Sequence, residues 1–265
     1  MDQVPVRSAY ANLENAQVHY RGAGADGPAL VCFHQTPLSS RMYERALPYL
    51  GAHLRAFAFD TPGYGASTPL PEAPTVAGFA RQIVQAIDTI GLTKMAICGF
   101  VTGSAIAAEV AHQIGPRATH LILSGTPVLS DARLKMFADR LGVPHLSKDG
   151  DHLRQVWDSR IENFGPEIDL EQVQMAVSET LRVYDRYNAG LLAVSTYDLP
   201  ATLRALDIPA LFITAEHDKL APENKEAARL VAGSREIFLA GARPQVCWSD
   251  PARFAKEAVG FITAT

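Results

Sequence analysis

The sequence has few cysteines, no run of basic residues and no long apolar stretch, and each absence argues against a class of protein. Three cysteines in 265 residues are too sparse for a disulfide framework, so we expect a reducing compartment and a cytoplasmic protein. The formal net charge of −4 and the absence of a Lys/Arg cluster argue against a nucleic-acid partner. No apolar stretch approaches the roughly 20 residues of a membrane span. No signal-peptide core is visible near the start either, so we expect no membrane association.

Metal and cofactor sites also lack their usual patterns. The His, Cys and Glu residues nowhere show metal-ligand spacing, and no glycine-rich loop joins a strand to a helix as a phosphate site requires. We therefore expect neither a metal nor another cofactor, and a small-molecule substrate or ligand as the partner. With 48% hydrophobic and 20% charged residues, the composition is that of a folded globular protein. The oligomeric state stays open, a homodimer included.

Short apolar runs alternate with longer helical patterns along most of the chain. The runs are continuous, which is typical of strands buried on both faces of a parallel sheet. Six runs are predicted strands: residues 30–33, 54–59, 95–98, 121–123, 210–213 and 237–239. Five helical patterns accompany them: residues 41–50, 76–90, 104–114, 223–231 and 251–262. This alternation predicts an α/β fold with a doubly wound, mostly parallel sheet.

One long segment interrupts the alternation. Residues 127–206 contain no buried-strand run, and two stretches within them, 152–164 and 170–187, have helical patterns. So long a segment is not expected to be a loop without secondary structure. We therefore predict a helical cap over residues 127–206, inserted between two strands of a core formed by residues 1–126 and 207–265.

Three loops after predicted strands carry characteristic small and polar residues. Residues 33–37 are Phe-His-Gln-Thr-Pro, residues 59–67 are Phe-Asp-Thr-Pro-Gly-Tyr-Gly-Ala-Ser, and residues 98–104 are Cys-Gly-Phe-Val-Thr-Gly-Ser. In this order and spacing they resemble three loops of the α/β-hydrolase superfamily. These are the His-Gly-x-Pro oxyanion loop, the Asp-x-x-Gly-x-Gly-x-Ser loop and the Gly-x-Ser-x-Gly nucleophile elbow. The resemblance covers nearly the whole chain and implies an α/β-hydrolase fold.

Two of the three catalytic positions implied by this resemblance lack a suitable side chain. Val101 stands at the nucleophile position, and an isopropyl group cannot attack a carbonyl carbon. Pro244 stands where the family has its catalytic histidine, and no histidine follows His217. Only Asp218 matches the family pattern, as the acid. We therefore expect no serine-esterase mechanism of the usual type.

The resemblance also predicts a strained backbone at Val101. The family holds the central elbow residue at positive φ between two glycines, which are Gly99 and Gly103 in this sequence. Positive φ is uncommon for any other residue than glycine, and a β-branched side chain makes it worse. We expect Val101 to keep this conformation and to form an apolar floor of the pocket in place of the nucleophile.

The remaining candidates surround an expected pocket between core and cap. Backbone N–H groups near Gln35 and Thr102 are expected to stabilise an oxyanion. The candidate acids and bases are Asp218, His34 and, in the cap, His152, although each also has a purely structural alternative. The candidate substrate-binding residues are Gln35, Val101, Thr102, Trp157, Tyr184, Tyr187 and Pro244, of which the three cap aromatics have packing as the alternative.

Three functions remain open at this point. The preferred one is a cofactor-independent enzyme that acts on a small, largely apolar organic molecule by acid–base catalysis with oxyanion stabilisation. Decarboxylation, dehydration, cyclisation and isomerisation are reactions of that kind. The first alternative is a hydrolase in which Asp218 or His34 activates water. The second is a non-catalytic protein that binds a small molecule in the same pocket.

Overall fold

Eight strands form one sheet in the computed structural model, which describes residues 4–130, 133, 145–164 and 169–264. They are β1 (Arg7–Asn12), β2 (Gln17–Ala23), β3 (Ala29–Phe33), β4 (Arg55–Phe59), β5 (Met95–Phe100), β6 (Ala118–Ser124), β7 (Ala210–Ala215) and β8 (Arg235–Leu239). Their spatial order is β1-β2-β4-β3-β5-β6-β7-β8. Strand β2 is antiparallel to both of its neighbours, and the six strands from β4 to β8 in this order are parallel. The predicted mostly parallel α/β sheet is confirmed.

The hairpin of β1 and β2 is the part of the sheet that the apolar runs did not predict. Strand β1 has the sequence Arg-Ser-Ala-Tyr-Ala-Asn and is largely exposed. Its neighbour β2 contains exposed, half-buried and buried residues, several of them polar. By contrast, every residue of β3 and β5 is buried, because helices cover both faces of the central strands. Continuous apolar runs therefore identify the centre of a parallel sheet and miss its antiparallel edge.

The helices of the described residues are distributed over both faces of the sheet. They are α1 (Leu47–Gly51), α2 (Val76–Thr89), α3 (Thr102–Ile114), α4 (Asp151–Phe164), α5 (Leu170–Arg182), α6 (Ala189–Ser195), α7 (Leu199–Ala205), α8 (Ala221–Ala228), α9 (Val246–Ser249) and α10 (Pro251–Thr263). Helices α2 and α3 pack on one face, whereas α1, α9 and α10 pack on the other. No helix in this part of the chain is long and apolar enough to cross a membrane.

The segment predicted as the cap contains two pairs of helices that pack in different places. Helices α4 and α5 form a small apolar cluster of their own around Val156, Val173 and Val177. Helices α6 and α7 instead contribute buried side chains such as Leu199 and Leu203 to the core cluster that contains α2 and α3. Other parts of the predicted cap, residues 131–132, 134–144 and 165–168, lie outside the described residues.

Candidate functional site

The turn between β5 and α3 keeps the predicted strained backbone. Val101 has φ 53° and ψ −117°, which confirms the expected positive φ. A Cβ atom on Gly99 would stand 2.2 Å from the carbonyl oxygen of Gly103, and one on Gly103 would stand 2.3 Å from that of Phe33. Only glycine fits at either position, so the tight strand–helix contact holds Val101 in a conformation that costs about 1–3 kcal/mol.

A cavity of about 650 Å³ opens beside this turn, between core residues and the cap helix α4. We call it the central cavity. Several residues expected from the sequence line it, namely Gln35, Val101, Tyr187, Asp218 and Pro244. The structure thus brings together at one cavity the three residues that the resemblance places at the nucleophile, acid and histidine positions, namely Val101, Asp218 and Pro244.

Asp218 follows β7, and within the described part of the chain only one of its two carboxylate oxygens accepts a hydrogen bond. Its Oδ1 accepts a hydrogen bond of 2.8 Å from the backbone N–H of Leu220. Its Oδ2 lies 3.0 Å from the place where a Cβ on Gly125 would stand, and Cγ2 of Val101 lies 3.2 Å from the same point. Burial raises the pKa of Asp218, the Leu220 N–H opposes this, and the charge of Glu223 raises the pKa further. The group is therefore a stronger base than an ordinary aspartate.

His34 is completely buried, and both of its ring nitrogens are engaged. The backbone N–H of Thr61 donates to Nε2 over 2.9 Å, so the proton is on Nδ1, which donates to the carbonyl oxygen of Gln35 over 3.1 Å. Burial is the main cause that lowers the pKa of His34. The neutral ring joins the loop after β3 to the loop after β4 and has no free nitrogen for proton transfer.

The Thr102 hydroxyl is hydrogen-bonded to a backbone N–H group in the loop that the resemblance assigns to oxyanion stabilisation. Its hydroxyl oxygen accepts a 2.7 Å hydrogen bond from the backbone N–H of Thr36 and lies 3.0 Å from the Thr36 hydroxyl. The N–H beside Gln35 is therefore bonded within the protein. An oxyanion that used this donor would first have to displace the Thr102 hydroxyl.

An amide chain that the sequence analysis missed lies beside Pro244. Gln245 has φ 55°, and its Nε2 donates to Oε1 of Gln35 over 3.1 Å. Its Oε1 accepts from Nε2 of Gln172, on α5, over 3.0 Å. The side chain that follows Pro244 in the sequence is thus an amide, which does not act as a base at neutral pH. Neighbouring sequence carries no signal for these contacts, because the three glutamines are far apart in the chain.

Arg160, on α4, is a second cavity residue that the sequence analysis missed. Its side chain lines the central cavity, although the residue is only 6% exposed. Nη2 donates to the hydroxyls of Thr180 and Tyr187 over 3.1 and 3.2 Å. Among the described residues, neither Nε nor Nη1 has an acceptor, and no carboxylate pairs with the guanidinium. An arginine in an amphipathic helix is usually exposed, so the helical pattern alone gave no reason to select it.

The other cap candidates lie away from the cavity wall. His152 is near the start of α4, where its Nδ1 accepts from the backbone N–H of Ser147 over 3.3 Å. Trp157 packs against the apolar cluster of α4 and α5. Tyr184 is half-buried in the turn Tyr184–Arg186. None of the three is among the residues that line the central cavity. Within the described ranges, no group of three His, Cys, Asp or Glu residues could hold a metal ion.

Comparisons with known proteins place this chain among hydrolase-fold proteins. It is 25% identical over 207 residues to the uncharacterized hydrolase YNR064C of Saccharomyces cerevisiae, which covers 77% of this chain and 66% of that protein. It is 23% identical over 278 residues to the bifunctional esterase/perhydrolase DCH of Acinetobacter calcoaceticus, which covers 94% of this chain and 97% of that protein.

Solved structures agree on the fold. The enol-lactonase from Burkholderia xenovorans LB400 superposes with a TM-score of 0.79 at 20% identity, over 97% of this chain and all of that one. A lipase described as putative (lip1), from Acinetobacter baumannii AYE, gives 0.82 at 17% identity, over 97% and 91%. At such low identity these structures speak for the fold alone. The family model of the alpha/beta hydrolase fold matches residues 28–248, and the chain therefore belongs to the alpha/beta hydrolase family.

Proposed function

We propose that the protein is a hydrolase of small organic molecules in which Asp218 activates the attacking water. The observation that carries this proposal is the uncommitted Oδ2 of Asp218 at the wall of the central cavity, with a pKa that burial raises. The relatives whose names include esterase and hydrolase support hydrolysis over the non-hydrolytic chemistry that the sequence alone favoured.

The reaction needs no covalent bond to residue 101. Oδ2 of Asp218 accepts a proton from water while the water oxygen bonds to an ester or lactone carbonyl carbon. The same proton then passes to the leaving oxygen as its bond to that carbon breaks. General-base assistance of this kind contributes about 10²–10⁴-fold, so we expect a slow enzyme compared with triad esterases.

Two other functions remain as outcomes of the test. An acid–base reaction without water addition is favoured by Val101, because its apolar side chain lies close to the Asp218 carboxylate, next to Gly125. Binding without catalysis is favoured by the occupied N–H of Thr36. Product masses separate these functions, because hydrolysis adds one water, the second reaction adds none, and binding leaves the molecule unchanged.

The test is incubation with a panel of small esters and lactones in ¹⁸O-labelled water, followed by mass spectrometry. We expect one ¹⁸O atom in the acid product and no acyl-enzyme adduct. Asp218→Asn keeps an acceptor for the Leu220 N–H and should lower the rate at least about 100-fold. Asp207→Asn is the matched control, because Asp207 is exposed and lies just before β7. Hydrolysis that survives Asp218→Asn, or an adduct on the protein, would overturn the proposal.

A further inference from the structure

We infer that Arg160 binds a carboxylate group of the substrate, an inference that rests on the proposed function and deepens it. The observation is a guanidinium that lines the central cavity, belongs to a residue that is only 6% exposed, and has no carboxylate partner among the described residues. A buried charge is expensive unless it is paired. Binding of an anionic ligand provides the missing pair.

The contacts of Arg160 fix which donors are left for that ligand. Nη2 gives both of its hydrogens to neutral hydroxyls, those of Thr180 and Tyr187. These bonds orient the guanidinium without neutralising its positive charge. The Cζ atom of Arg160 lies 5.9 Å from the centre of the Tyr187 ring. In the described part of the chain Nη1 and Nε have no acceptor. Nε is itself buried. Nη1 is therefore the donor left for a carboxylate oxygen, and the contact is a single charge-assisted hydrogen bond and not a two-point one.

Four other charged residues of the described chain line the cavity: Arg133, which pairs with Glu223 over 2.8 Å, the exposed Glu162, Lys219 and Asp218. Lys219 also lines the cavity, but it is exposed and donates to the backbone carbonyl of Glu162 over 3.1 Å. Asp218 contributes a carboxylate on the same cavity, which disfavours a ligand with two negative charges. The inferred substrate class is therefore a monocarboxylate with a hydrolysable ester or lactone bond elsewhere in the molecule.

Equilibrium binding tests this inference without turnover. The probes are 4-phenylbutanoate and its uncharged analogue 4-phenylbutanamide, titrated into the protein by calorimetry at pH 7. We expect the carboxylate to bind at least about tenfold tighter than the amide, because hydrogen bonds to charged groups are the stronger ones. Arg160→Gln should abolish this preference, and Arg160→Lys should retain part of it.

The matched control is Arg154→Gln, because Arg154 lies on the same helix and is exposed. This variant should keep the full preference for the carboxylate. Equal affinity of the unaltered protein for both probes would overturn the inference, as would a preference that survives Arg160→Gln. If the carboxylate preference is found but no ester is hydrolysed, the proposed function fails and the binding role of Arg160 stands. Hydrolysis of neutral esters without a carboxylate preference would support the proposed function and overturn the binding role of Arg160.

Discussion

Asp60 connects the loop after β4 to strand β2 and to the loop after β3, and its hydrogen bonds predict a specific loss of stability in acid. Its buried carboxylate accepts hydrogen bonds from the backbone N–H groups of Ser40 and Ala66, over 2.6 and 2.8 Å. The Nδ1 of His19 lies 2.8 Å from Oδ2 of the same carboxylate. All three contacts stabilise the ionised form, so protonation of Asp60 in the folded state is unfavourable.

The magnitude follows from the pKa of Asp60. Burial by itself would raise this pKa, but the hydrogen bond from His19 and the contact with the Ala66 N–H outweigh burial and lower the pKa from 3.8 to about 2. A tenfold change in proton affinity is worth about 1.4 kcal/mol, so the ionised carboxylate contributes about 2 kcal/mol to the free energy of unfolding. Because the folded pKa is the lower one, this contribution is complete well above pH 3.8. It is lost progressively as the pH falls towards 2.

Urea unfolding of the unaltered protein and of Asp60→Asn measures this contribution. At pH 7 we expect the variant to be less stable by at least about 2 kcal/mol, since the amide loses the charge and brings a donor to face backbone donors. The difference between the two proteins should shrink by about 1 kcal/mol between pH 5 and pH 3, because the unfolded chain becomes protonated there. Asp26→Asn, at an exposed position, controls for the change in net charge. A difference that stays constant from pH 6 to pH 3 would refute the reasoning.

Three further predictions concern the central cavity. Val101→Ser should not produce an acyl-enzyme or triad-like esterase rates, because Pro244 supplies no base; a burst of p-nitrophenol from p-nitrophenyl acetate would contradict this. The plot of kcat/KM against pH should fall on acidification with a midpoint above the ordinary 3.8, since burial raises the pKa of Asp218 and the base must be ionised; an acid limb at or below 3.8 would disagree. Thr102→Val should lower the free energy of unfolding by about 1–3 kcal/mol, because it leaves the buried N–H of Thr36 without its acceptor; unchanged stability in urea would count against that bond.

The centre of the sheet could be predicted from the sequence because its physical cause is local. A strand buried on both faces must be apolar at every position, and β3 and β5 show this directly in their residues. The hairpin of β1 and β2 is half-exposed, so its pattern does not differ enough from that of a loop. Helices α6 and α7 lie within the segment predicted as the cap but were not predicted as helices, and only their contacts with the core show where they pack.

Only part of the candidate site, likewise, could be predicted from the sequence. Val101 and Asp218 could be predicted because short motifs fix them relative to the strand ends. Arg160 and the chain of Gln172 and Gln245 could not, because their partners lie many residues away and come from different elements. An arginine or a glutamine within a helix gives no sign of burial until the tertiary contacts are known.

Hydrogen bonds commit the polar groups beside Val101 and Pro244 to partners within the protein. Gln245 is bonded within the amide chain, and the Thr102 hydroxyl holds the N–H of Thr36. Restoring one catalytic side chain would therefore leave these groups engaged elsewhere. The charged groups still uncommitted at the central cavity, among the described residues, include Oδ2 of Asp218 and Nη1 of Arg160. They have opposite charge and no ion pair between them. A molecule that carries both a carboxylate and a bond to be hydrolysed would use them together, which is why we assign binding to one and water activation to the other.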